Sequence, residues 1–220
     1  MTVKLSGPML PPKSAAAPRQ LMVLLHGYGA DGADLISLGY QWGELFPDML
    51  FVSPNAPAPC ARSASGYEWF PLSEDRIAGR IAGAEAARPV IVNFLIDLWA
   101  QTGIKAQDTV LCGFSQGAMM ALHVGTSLDQ ELLGVVAFSG AFPPPADFGS
   151  TAHAKPAIAL IHGDLDQVVE PALSRSAARD LTAAGFDVSL HMSSGTGHGI
   201  APDGLEFATS FLLARASAKH

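Results

Sequence analysis

The five residues Gly113-Phe114-Ser115-Gln116-Gly117 constrain this chain more than any other feature. The apolar run 109–114 reads as a buried strand, and the run 116–128 has helical period. The pentapeptide therefore joins a strand to a helix through a very tight turn. A turn that lifts a side chain clear of a sheet presses its backbone against the neighbouring strand and helix. The positions two before and two after Ser115 must then be small, and Gly113 and Gly117 meet that need. Ser115 itself is expected to carry backbone strain. A serine held this way reads as a nucleophile. The competing reading is a Gly-rich turn with an incidental Ser, which the flanking strand and helix disfavour.

Short apolar runs alternate with longer helical segments along the rest of the chain. Strands are expected at 21–25, 49–53, 109–114, 133–139, 157–162 and 188–192, and their continuous apolarity suits strands covered on both faces. Helices are expected at 33–44, 77–101, 116–128, 172–184 and 205–216, with Pro89 marking a kink or a break into two helices. Strands separated by helices imply a mostly parallel sheet flanked by helices. No internal repeat or linker divides the 220 residues, so one domain over 1–220 is expected, with a Pro/Ala-rich segment at 1–20 and a frayed end at 217–220. The stretch 54–74 is a long loop that carries Tyr67, Trp69 and Phe70.

With 49% hydrophobic and 15% charged residues, the chain is a folded globule and not a disordered one. The net charge of −7, with no basic run, argues against nucleic acid as a partner and against electrostatic docking on anionic lipid. No run reaches transmembrane length. Ser14-Ala15-Ala16-Ala17 looks like a signal-peptidase site but lacks the preceding hydrophobic region. Cys60 and Cys112 read as free thiols, which fits a reducing compartment, and a cytoplasmic location is expected.

A serine hydroxyl is a weak nucleophile at neutral pH and needs a base. On this kind of elbow the acid and then the histidine follow the serine in the chain. Of the seven histidines, only His191, His198 and His220 lie late enough. His191 falls in a strand run and His220 is terminal, whereas His198 sits in the Gly-rich loop Ser194-Gly195-Thr196-Gly197-His198-Gly199. For the acid, Asp164, Asp166 and Glu170 directly follow the strand 157–162, and spacing does not choose between Asp164 and Asp166. The aspartate that is not used is expected to stabilise the loop. Two backbone amides should face the developing oxyanion, those of Gln116 and of Tyr28 in Leu24-Leu25-His26-Gly27-Tyr28-Gly29. His26 is expected to orient that loop rather than to act as a base.

Four segments then agree with one family in order and spacing: Leu25-His26-Gly27-Tyr28-Gly29, the elbow, His162-Gly163-Asp164-Leu165-Asp166-Gln167-Val168-Val169, and Gly197-His198-Gly199. Pro54-Asn55-Ala56-Pro57 and Trp69-Phe70 fit it as well. The chain resembles the small carboxylesterase / acyl-protein thioesterase / phospholipase family of α/β-hydrolases over nearly its whole length. The resemblance implies the α/β-hydrolase fold with little or no cap domain. It implies Ser115 as nucleophile, His198 as base, and Asp166 rather than Asp164 as acid, with the Tyr28 and Gln116 amides as oxyanion donors. One departure is Glu170, where many members have Pro directly after Val-Val; here Pro171 comes one residue later. Hydrolysis of carboxylic esters, thioesters or lysophospholipids follows as the implied activity, with no metal or organic cofactor.

Trp69, Phe70, Leu72 and Val168 are the candidates for an apolar substrate groove, joined by Met119 and the turn 142–145; each has core packing as its alternative role. Exposed apolar loops near the site suggest a homodimer. A peptidase would more often carry a cap or propeller domain, for which there is no room, a secreted lipase should show a signal peptide, and dienelactone hydrolases use Cys. A catalytically silent scaffold on the same fold would more often lack one of the three residues, and none is missing here.

Overall fold

Leu21, Val23 and Leu25 point to one face of a central sheet, and Met22 and Leu24 to the other, all fully buried. That period-2 division organises the molecule, because each face must be covered by helices. The computed structural model describes residues 4–217. In chain order come β1 (Met9–Leu10), β2 (Gln20–Leu25), α1 (Gly32–Leu45), β3 (Met49–Val52), β4 (Ala58–Pro59), β5 (Tyr67–Glu68) and α2 (Arg76–Thr102). They are followed by β6 (Thr109–Phe114), α3 (Gln116–Gly125), β7 (Gly134–Phe138), β8 (Ile158–Gly163), α4 (Pro171–Ala183), β9 (Val188–Ser193) and α5 (Pro202–Ser217). Seven strands form one sheet in the order β1-β3-β2-β6-β7-β8-β9. All its pairings are parallel except that of the edge strand β1 with β3.

One face packs Leu21, Val23, Leu25 and Leu111 against Ile91 and Leu95 of α2, Met120 and Leu122 of α3, and Leu181 of α4. The opposite face packs Met22, Leu24, Val110 and Phe138 against Trp42 of α1 and Leu212 of α5. Each fully buried aliphatic side chain contributes roughly 1.5–3 kcal/mol relative to exposure. A hydrogen bond from Trp42 Nε1 to Thr209 Oγ1 (2.9 Å) joins α1 to α5.

The six expected strands are all present, and the sheet is mostly parallel with helices on both faces. The edge strand β1, within the Pro/Ala-rich segment, is not among the expected strands, and three further features differ from expectation. Pro89 does not break the second helix: α2 runs unbroken through it. Pro89 is exposed, while Ala84, Ala87, Ile91 and Leu95 hold the inner face down. The third helix stops at Gly125, where the Thr126 hydroxyl bonds back to the Leu122 carbonyl. The loop 54–74 contains a small antiparallel hairpin, β4 with β5. Cys60 and Cys112 are both free and buried. Of the expected frayed end, Ser217 closes α5, and 218–220, with His220, lie outside the described residues.

Candidate active site

Parallel strands deliver the site because their carboxyl ends emerge together on one edge. The last residue of β6 leads into Ser115, which has φ 53° and ψ −115°, a left-handed conformation that costs a non-glycine residue energy. The strain is held from both sides. The Ser115 amide donates to the Phe138 carbonyl at 2.9 Å, and its own carbonyl accepts from the Met119 amide. At Gly113 a Cβ would stand 2.3 Å from the Gly117 backbone, and at Gly117 one would stand 1.8 Å from the Leu25 carbonyl oxygen. Both positions are thus closed to any side chain.

Three side chains from three segments form a hydrogen-bonded row. His198 Nδ1 lies 2.7 Å from Asp166 Oδ2, and His198 Nε2 lies 3.0 Å from Ser115 Oγ. A carboxylate only accepts, so Nδ1 carries the imidazole proton and Nε2 is left to accept from the serine hydroxyl. Phe114 packs against the imidazole, with ring centroids 4.8 Å apart. Asp166 is buried, and its other oxygen accepts from the amides of Val168 (2.8 Å) and Val169 (3.0 Å). Burial pushes the Asp166 carboxyl up. The hydrogen bond from His198 and the Val169 and Val168 amides outweigh it and hold the group below the ordinary aspartate value.

The second aspartate of the motif does a different job. Asp164 Oδ1 accepts from the Gly195 amide at 2.7 Å, which ties down the loop carrying His198. Glu170 is the N-cap of α4, and Pro171 begins that helix. His191 pairs with Asp203 on the surface, away from the row.

Tyr28 and Gln116 line the same groove as Ser115 and His198, a cavity of about 670 Å³. The Gln116 amide is the first of α3 and has no intrahelical acceptor, as at any helix start. The Tyr28 phenol is pushed up first by its hydrogen bond with Cys60, then by burial and Glu68, contacts that fasten this loop. His26 Nδ1 donates to the Gly27 carbonyl (2.7 Å), and Nε2 accepts from the Ala56 amide (2.9 Å). Both ring nitrogens are therefore occupied in holding loops.

The four substrate-groove candidates divide. Phe70, Leu72 and Val168 line the cavity, as does Met119, with Leu72 and Val168 exposed at its rim. Trp69 is buried beneath it, where Nε1 donates to the His26 carbonyl (2.9 Å). The turn 142–145 is not part of the lining; Phe142 packs on Phe148 and the core. Two features escaped sequence reasoning. The Gln116 side chain clamps the loop, accepting from the Trp69 amide (2.9 Å) and donating to the Phe70 carbonyl (2.7 Å). Arg62, Arg76 and Arg80 also line the cavity. Neither fact has a local sequence signal, since both depend on where the loop 54–74 folds. Among the described residues, no group of three or more His, Cys, Asp or Glu side chains is placed to hold a metal ion.

Sheet order, elbow and the placement of the serine at the strand edge define an α/β-hydrolase. The chain belongs to the Phospholipase/Carboxylesterase family, whose model matches residues 12–215. It is 33% identical over 194 residues to "Esterase YpfH" of Escherichia coli, covering 88% of this chain and 82% of that protein. It is 25% identical to "Acyl-protein thioesterase 1 homolog 1" of Dictyostelium discoideum, covering 87% and 88% of the two chains. Among solved structures, that of esterase PE8 superposes with a TM-score of 0.93 at 54% identity, covering 96% of this chain and 99% of the other. Among the described residues, no helix is long and apolar enough to cross a membrane.

Proposed function

We propose that this member of the esterase family is a serine carboxylesterase that works through an acyl-enzyme on Ser115. The observation that carries the reading is His198 standing between Ser115 Oγ at 3.0 Å and Asp166 Oδ2 at 2.7 Å. His198 Nε2 takes the hydroxyl proton as Ser115 attacks the acyl carbonyl. Asp166 fixes the tautomer and stabilises the imidazolium. The Tyr28 and Gln116 amides receive the oxyanion, and losing one such donor typically costs roughly 3–4 kcal/mol. His198 then returns the proton to the leaving alcohol. Water, activated by the same imidazole, releases the acid and restores the serine.

Thioesters fit the same machinery, and the relatives named acyl-protein thioesterases support extending the reading to them. A paired series of oxyesters and thioesters of rising chain length ranks the two. The direct test is covalent labelling by a fluorophosphonate, together with turnover of a p-nitrophenyl acyl ester. Labelling is expected in the parent and absent in Ser115→Ala, whose turnover should fall on the order of 10⁶-fold. A Ser115→Ala protein that works at near-parent rate, or a parent that takes no label, overturns the proposal.

A further inference from the structure

The charge of the groove runs against that of the molecule. The chain has 20 acidic and 13 basic residues. The cavity above Ser115 and His198 is lined by three arginines, Arg62, Arg76 and Arg80, against one carboxylate, Glu74. Among the described residues, arginine ion pairs engage Arg88 and Arg215, and none engages these three. The nearby carboxylates have other work or stand further off. Asp75 caps α2, accepting from the Ile77 and Ala78 amides. Glu170 sits at the N-cap position of α4 with no side-chain capping bond, and it acts on Arg80 through its charge without forming an ion pair.

Arg76 and Arg80 lie four residues apart on α2, so they share one helix face and repel one another. Burial lowers the Arg80 guanidinium from its ordinary value, the charge of Arg76 adds to this, and Glu170 opposes it. A like-charge pair without a partner at the mouth of a reactive groove costs folding energy, and a bound anion would recover it. The groove also has an apolar side, made by Phe70, Leu72, Met119 and Val168.

We infer that this site takes esters bearing a free carboxylate, with the ester carbonyl at Ser115, the carbon chain along Phe70, Leu72 and Val168, and the carboxylate on the guanidinium forks of Arg76 and Arg80. The inference rests on the reading of Ser115 as the nucleophile. A planar fork of N–H donors matches a carboxylate in geometry as well as charge. Either a monoester of a dicarboxylic acid or an acylated hydroxy acid would present that chemistry, the first on the acyl side and the second on the alcohol side.

Two substrate pairs separate these sources. Mono-p-nitrophenyl adipate against p-nitrophenyl hexanoate puts the carboxylate on the acyl side. The butanoyl ester of γ-hydroxybutyrate against pentyl butanoate puts it on the leaving alcohol. The charged member of at least one pair should exceed its neutral counterpart by ~10-fold in kcat/KM, as expected of one well-placed ion pair in a partly open groove. That gap should shrink in ~0.5 M salt, where exposed charges are screened. In the Arg76→Gln/Arg80→Gln double variant the ratio should fall to near one, while Arg215→Gln, far from the groove, keeps the parent ratio. A parent ratio at or below one in both pairs overturns the inference, as does a preference that survives the double variant. Turnover of the neutral esters without preference overturns the carboxylate site and leaves Ser115 standing. No turnover of any of the four, with no fluorophosphonate label, overturns both. The parent ratio and its salt dependence need no variant to fold.

Discussion

His162 Nε2 lies 3.1 Å from Asp166 Oδ2, the oxygen that His198 Nδ1 reaches at 2.7 Å. The same His162 nitrogen is 2.8 Å from the Val169 carbonyl, which only accepts, so it carries a proton. His162 is buried, and burial lowers its pKa and keeps the ring neutral. Its Nδ1 lies 2.6 Å from the Ser174 hydroxyl. Asp166 thus has an imidazole N–H on each side, one from the proposed base and one from a residue that never meets the substrate.

His162 is therefore a positioning residue for Asp166. In His162→Leu, kcat should fall by about 10-fold or more with KM little changed, the scale of one hydrogen bond to a charged group. Removing an N–H that faces a carboxylate raises the carboxyl pKa. The acid limb of the pH profile of kcat/KM should therefore move to higher pH. Both are read with a p-nitrophenyl ester across the acid range. A variant with parent kcat and an unmoved limb would show that His162 only packs.

How much of this was legible in the sequence depends on the range of each interaction. The strand 109–114 was readable to the residue because its apolar run meets a glycine turn whose demands are local. Ser115 and His198 follow from motif order once the fold is assumed, whereas Asp166 is picked over Asp164 only by the family resemblance. The hairpin of β4 and β5 was not readable. It is held by Gln116, which contacts Trp69 and Phe70 from across the cavity, and by His26 and its loop through Ala56 and Trp69. Pro89 misled because propensity argues for a break, while the buried stripe on α2 is stronger than one missing hydrogen bond. The arginines of the groove look scattered in sequence, at 62, 76 and 80, and gain meaning only when the loop and α2 face Ser115.

Two glycine-to-alanine changes should have opposite signs. A Cβ on Gly117 would meet the Leu25 carbonyl oxygen at 1.8 Å and its carbon at 2.4 Å, both backbone atoms of a central strand that cannot yield. A Cβ on Gly43, inside α1, would find Phe51 Cε2 at 3.9 Å and nothing nearer. Gly117→Ala should lose more than ~3 kcal/mol, among the largest single-residue effects, and should lose the fluorophosphonate label. Gly43→Ala should gain up to ~1 kcal/mol from helix propensity. Urea unfolding midpoints measure both. A tolerated Gly117→Ala would mean that the elbow is looser than its packing implies.

Acid should destabilise the fold in a way that buried histidines predict. Burial is the leading cause that lowers the pKa of His26, His123 and His162 in the folded chain. An unfolded histidine takes its proton near pH ~6.5. For a group whose folded pKa is depressed, the unfolded state binds more protons over the interval between the two values. The stabilisation is complete above the unfolded value and is lost as pH falls towards the folded one. Asp166 is depressed too, so its contribution is lost later, below the ordinary aspartate range. His153 runs the other way. Burial opposes its charge, but Asp147 and Asp129 raise its pKa, so its contribution is present in acid and fades as pH rises. It pairs with exposed carboxylates at the surface, where solvent screens the gain, so the three interior histidines should dominate. The urea midpoint should therefore decline from pH ~7.5 to pH ~5, the interval that brackets the ordinary histidine value. In His123→Leu the absolute midpoint drops, because the Pro143 carbonyl loses its donor, but the decline with pH becomes shallower by one titrating site. A midpoint that stays flat or rises on acidification would mean that these histidines are protonated inside the fold.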